Sequence, residues 1–136
     1  MAFDWNRLDE RSSVEIPARP QSGLWTPARG YLGTGTVIRI CATGQWKPLP
    51  DTACGADGLR HWVYGRERLL TRAAPFGALI GRIGGSTISM ADGEILAIGA
   101  LCVLKIDKAE GPLFLTINDA PDGFDDNEGA LTVTFL

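Results

Sequence analysis

Apolar positions recur along this chain in short bursts, most of them spaced by two, separated by pieces rich in Gly, Pro and Asp. A period of two is the signature of a strand with one buried face. The pattern predicts strands over residues 14–16, 36–42, 61–64, 79–83, 95–98, 100–106, 113–118 and 131–136. Turn-forming stretches part them: "GYLGTG", "ACGADG", "RIGGST", "ADGE" and "PDG". Helical spacing is scarce, and "RERLL" offers a single helical turn. Many short strands at this spacing predict an all-β sandwich or barrel. The first thirty or so residues carry Pro17, Pro20 and Pro27 with Trp5 and Trp25, and read as an irregular arm, about 1–13, leading into the first strands.

A length of 136 residues fits one domain, 1–136, large enough to bury a core without disulfide staples. The net charge of −3 is uneven. From Glu110 onward there are six acidic residues and no basic one, which leaves ten acidic against thirteen basic in the rest. A nucleic-acid binder shows a basic face instead. No run approaches the ~20 apolar residues of a membrane span, and the N-terminus lacks the apolar stretch of a signal peptide. The expected location is the cytoplasm, or outside the cell by export without a recognisable signal. Homo-oligomerisation stays open.

Three cysteines without a CxxC pair argue against a zinc site, and Cys41 and Cys102, inside apolar runs, read as buried small hydrophobes, with an internal disulfide as the alternative. His61, the one histidine, sits in strand-like "RHWVY" and reads as structural, which leaves triad chemistry without support. The glycines of "IGRIGGST" read as turn residues, since no GK[ST] and no helix follow. No enzyme is expected. Trp46 and Trp62 are weighed as platforms for a sugar ring against plain packing.

The informative segment is the last one, "NDAPDGFDDNEGALTVTFL". Asp119, Asp122, Asp125, Asp126 and Glu128 crowd one turn together with Asn127 and the turn formers Pro121, Gly123 and Gly129. Hard cations such as calcium take roughly 6–8 oxygen ligands from carboxylates, amides and main-chain carbonyls. A divalent ion would neutralise the repulsion on such a turn. The spacing is not that of an EF-hand: counted from Asp119 the third position is Pro121, and counted from Asp122 the sixth is Asn127. The alternative is a solvated acidic loop that binds nothing.

"PFGALIGRIG", an apolar strand, and then "GPLFLTINDAPDGFDDNEGALTVTFL" resemble the LecA-type (PA-I-like) galactose-binding lectins, whose pattern is GAL-x-x-x-IG, G-x-L/I-x-L-x-x-ND, a short loop ending in a polar-Asn pair, and a last strand. Gly44–Trp46 and "CGADG" resemble further segments of related bacterial domains. The resemblance implies a jelly-roll-type β-sandwich of galactose-binding-domain-like form, which agrees with the strand pattern. It implies one calcium ion in the last loop, shared by protein and sugar. Asp119 stands where a strand-end carboxylate binds the ion. Gly123 and Pro48 stand where main-chain carbonyls do, and Asp126 and Asn127 where two consecutive side chains do. Asp119 and Asp126 would also accept hydrogen bonds from the sugar. Gly123 replaces a Thr and Asp126 an Asn. A His-Pro-x-Gln stretch that contacts galactose in the family has no counterpart in "YGRERLLTRAAPFGAL", where Tyr64 and Glu67 fall near those places. The expectation is therefore calcium-dependent carbohydrate binding, to galactose or another sugar with vicinal hydroxyls. The alternative is a calcium-stabilised interaction or assembly module of the same fold.

Overall fold

The computed structural model describes residues 4–84 and 94–136. The described chain forms one short helix, α1 (Trp5–Asp9), and nine strands: β1 (Ser13–Pro17), β2 (Thr26–Leu32), β3 (Val37–Leu49), β4 (Thr52–Cys54), β5 (Leu79–Ile83), β6 (Glu94–Ala97), β7 (Leu101–Lys105), β8 (Gly111–Ile117) and β9 (Glu128–Phe135). Two antiparallel sheets result. One runs β1-β9-β3-β4, with β7 also paired to β3, and the other runs β2-β8-β5-β6. First pairs with last (β1 with β9), second with penultimate (β2 with β8), and third with seventh (β3 with β7). These nested pairs alternate between the sheets, which is the winding of a jelly roll. No described helix is long and apolar enough to cross a membrane.

Alternation in the sequence becomes alternation in burial. Ile38, Ile40 and Ala42 of β3 face inward with Leu131, Val133 and Phe135 of β9, and Leu113, Leu115 and Ile117 of β8 meet them from the other sheet. Trp46 lies in this core at 1% exposure and donates its indole N–H to the carbonyl of Gly77 at 2.8 Å. It is a packing residue inside β3, out of reach of a ligand.

Several expectations meet a different outcome. Residues 61–64 form no strand, because "HWVY" lies in a long loop between β4 and β5 whose Trp62 N–H turns back to the Tyr64 carbonyl at 3.1 Å. His61 is exposed there and is not a structural strand residue. Cys41 and Cys102 are free and only half-buried; Cys54 is the buried cysteine. The turn residues expected at 85–87 and 91–93 lie outside the described residues.

The N-terminal region is more ordered than its proline content predicts. β2 carries Pro27 and two register shifts against β8, which break its alternation and hide it from a period-two reading. The helix α1 is short, but its end is held. Buried Arg29 donates to the carbonyls of Leu8, at 2.9 Å, and Arg11, and lies 4.1 Å from the centroid of the Phe135 ring. Asp9 accepts the Gly30 N–H at 2.7 Å. Outside the second sheet, Trp5 meets Phe114 edge-on. There the guanidinium of fully buried Arg82 lies over Trp25 at 4.5 Å and Phe114 at 5.0 Å. Desolvated cation–π contacts of this kind contribute about 2 kcal/mol.

Candidate functional site

Strand β8 ends at Ile117, and the two residues after it divide their work. The side chain of Asn118, with no exposed surface, donates from Nδ2 to the carbonyls of Thr71 and Ala74, each at 2.9 Å, and of Pro75 at 3.2 Å. Its Oδ1 accepts the Thr71 N–H at 3.1 Å. Its backbone adds bonds to Gly77 and Ala78. The 71–78 segment is thus tied to the end of β8. The next residue, Asp119, bonds Leu70 N–H through its own main-chain carbonyl, which leaves its carboxylate pointing elsewhere.

Oδ1 of Asp119 accepts the Ala120 N–H at 2.7 Å, while Oδ2 is buried and has no partner. Burial pushes this carboxyl up to about 6, and the charges of Asp126 and Asp122 add to the rise; the nearby Asn127 side chain and the Ala120 N–H oppose it. A carboxylate held in this way is short of positive charge. Asn127, 1% exposed, opens the return to β9. Its Nδ2 donates to the Ala18 carbonyl at 3.1 Å, which fixes the amide and leaves Oδ1 buried without a partner. Between them the chain makes a 3-10 turn, Phe124–Asp126, with Phe124 plugged into the core, and Arg19 holds the Asp125 carbonyl at 3.1 Å. Gly123 approaches so closely that a Cβ there would stand 2.8 Å from Oδ1 of Asp119.

These residues border a cleft of about 250 Å³. Asp119, Asp122, Gly123 and Asp126 line it from the acidic loop, and Pro48 lines it from β3. Trp62, Tyr64 and Arg68 line it from the 59–76 loop. Trp62 is half-buried, tilted on Phe76 at 5.4 Å and edge-on to Tyr64 at 5.9 Å. The cleft therefore gathers Pro48, Tyr64, Asp119, Gly123 and Asp126, with Asn127 buried beside Asp119. It does not gather Glu67, which is exposed on the 3-10 turn Arg66–Arg68 and does not line the cleft.

Sequence reasoning assigned no role to Asn118 or Arg68. For Asn118 the "ND" pair was a visible signal; for Arg68 nothing separates it from its charged neighbours until the turn is built. Among the described residues no three His, Cys, Asp or Glu side chains gather as a metal site. The two unpartnered oxygens here are one carboxylate oxygen, of Asp119, and one amide oxygen, of Asn127.

No protein-family model matches the chain, and no curated protein matches it. Among solved structures it is similar to one described as "EclA N-terminal domain; PllA-like lectin", with a TM-score of 0.67 and 23% identity over 92% of this chain and 94% of that one. At that identity the likeness is one of fold, and it extends over nearly the whole of both chains.

Proposed function

We propose that this protein is a non-catalytic, calcium-dependent carbohydrate-binding protein whose ion and sugar share the cleft beside Asp119. The observation that carries the reading is the pair of buried oxygens, Asp119 Oδ2 and Asn127 Oδ1, each without a partner. Leaving such groups unsatisfied costs on the order of 1–3 kcal/mol each, and more when charged. A bound cation removes that cost, and oxygen donors of this type suit calcium. The residues fit such an ion: Asp119 and Asp126 offer carboxylates, Asn127 an amide oxygen already fixed by Ala18, and Gly123 and Pro48 main-chain carbonyls. Bound calcium would take two vicinal sugar hydroxyls as its remaining ligands.

Asp119 and Asp126 orient the sugar by accepting hydrogen bonds from those hydroxyls, and such charge-assisted bonds are about twice as strong as neutral ones. Trp62 and Tyr64 offer apolar surface to the ring. The similarity in fold to a structure described as a PllA-like lectin supports the carbohydrate reading. Galactose itself is the first sugar to try, although the family's His and Gln contacts have no counterpart. A glycan array probed once with calcium and once with chelator tests the reading: calcium-dependent spots support it, and an empty array opposes it.

A second reading has its own observation. Leu101 and Val103 of β7 are 78% and 69% exposed, and Val37 on the adjoining strand is 57% exposed. Such a strip suits a protein partner, with calcium kept for stability. Calcium binding combined with an empty glycan array favours this second reading.

A further inference from the structure

From the position of Arg68 we infer that the cleft selects acidic sugars: a uronate, with its carboxylate on Arg68 and its vicinal hydroxyls toward the acidic loop. The inference rests on the carbohydrate reading and adds the class of ligand. Arg68 lines the same cleft as Asp119, Asp122 and Asp126, yet its guanidinium has no ion pair or hydrogen bond among the described residues. An arginine free to reach three carboxylates would pair with one of them. This one comes from the 59–76 loop and is laid against Gly65, where a Cβ would stand 3.3 Å from its Nη2. Gly65 has a φ of +64°, which favours glycine on both counts. Among the described residues Arg68 is the one basic side chain that lines this cleft. Arg68 is the cation kept for the ligand.

A guanidinium presents a planar fork that matches a carboxylate with two parallel hydrogen bonds. Trp62 and Tyr64 line the same cleft and offer ring surface beside the bound sugar. A volume of about 250 Å³ falls just below the ordinary range for ligand sites, roughly 300–1,000 Å³. It suits a single ring, so selection must be made on one sugar's own substituents. A hexuronate carries both elements that the acidic loop and Arg68 ask for, a vicinal diol and a carboxylate at C6. The matching neutral hexose carries the diol alone. Arg68 is thus a specificity-determining residue that discriminates by charge.

The test is calorimetry at fixed free calcium, with matched pairs: galacturonate and galactose, glucuronate and glucose, mannuronate and mannose. In the wild type the uronate of the preferred pair should bind at least tenfold tighter than its neutral partner, and added salt should narrow the gap. Arg68→Gln should bring the pair to parity by weakening the uronate, so that the ratio of the two affinities falls to about one. Equal affinities in the wild type overturn the inference and leave the carbohydrate reading standing, as does a uronate preference that survives in Arg68→Gln. Calcium-dependent binding of no sugar, neutral or acidic, on this panel or a glycan array overturns both.

Discussion

Asp119 and Asn127 lie side by side under the acidic turn, and each holds one oxygen that is buried and bonded to nothing, while the other polar atom of each side chain is tied to a main-chain group. The ties hold both side chains in place without satisfying the remaining oxygens. Under the proposed reading these are the oxygens that a calcium ion would satisfy, and without it they carry a cost.

The cost gives the first prediction a double sign. Asp119→Asn keeps the shape and removes the buried charge. Without metal at pH 7.5 the variant should melt higher than the wild type. With millimolar calcium the order should reverse, because the wild type gains RT ln(1 + [L]/Kd), about 2.7 kcal/mol at a hundredfold excess over Kd, and the variant gains little. Thermal melts of both proteins in calcium and in chelator check it. A variant that melts lower under both conditions would make Asp119 a structural residue only.

The raised carboxyl of Asp119 also predicts a pH dependence. Its folded value of about 6 lies above the ordinary 3.8. Between those values the folded state holds a proton that the unfolded state has released, so stability falls as pH rises through that window. Metal-free protein should therefore lose stability from about pH 4 to pH 6, and calcium affinity should weaken below pH 6 as protons compete. Glu110 acts in the opposite sense, because its bonds from Thr34 and Tyr31 lower its value. Denaturation at several pH values, wild type minus Asp119→Asn, isolates the group. A difference that does not change with pH would contradict the buried carboxyl.

Asn118→Ala removes a side chain that makes four hydrogen bonds. Three carbonyls and one N–H lose their partner, and we expect a loss of about 2–4 kcal/mol by urea denaturation. Hydrogen exchange should quicken at Thr71. A loss under 0.5 kcal/mol would mean that water replaces the amide.

The two central tryptophans should separate cleanly. Trp46→Phe gives up the bond to Gly77 inside the core and should cost stability of about 1–2 kcal/mol, with sugar affinity unaltered. Trp62→Ala should weaken sugar binding several-fold with a smaller change in stability. Titration by fluorescence and urea melts of both variants distinguish them; the opposite assignment of effects would place the ligand elsewhere.

What was legible in the sequence follows from where local rules are sufficient. The strands at 79–83, 113–118 and 131–136 were readable because Leu113, Leu115 and Ile117 alternate against a single core, and Leu131, Val133 and Phe135 do the same. The acidic turn stood out because five carboxylates within ten residues have no local explanation. In the N-terminal third the strands at 14–16 and 36–42 were readable as β1 and β3, but the arm that holds α1 and β2 was not. Its order comes from contacts far along the chain, as when Arg29 reaches Phe135 and Asn127 holds Ala18. Residues 61–64 mimic a strand because Trp62 and Tyr64 are spaced by two, yet those rings line the cleft from a loop that Asn118 holds in place. Arg68 could not be told from Arg66 without that loop.

The account stands on calcium and sugar sharing one site, and calorimetric titration of calcium into the metal-free protein, with and without a sugar found on the array, tests this most directly. The predicted result is one ion per chain, with a Kd that tightens when sugar is present by the same factor by which calcium tightens the sugar. Heat that is absent in wild type, or a calcium affinity indifferent to a sugar that does bind, would contradict it.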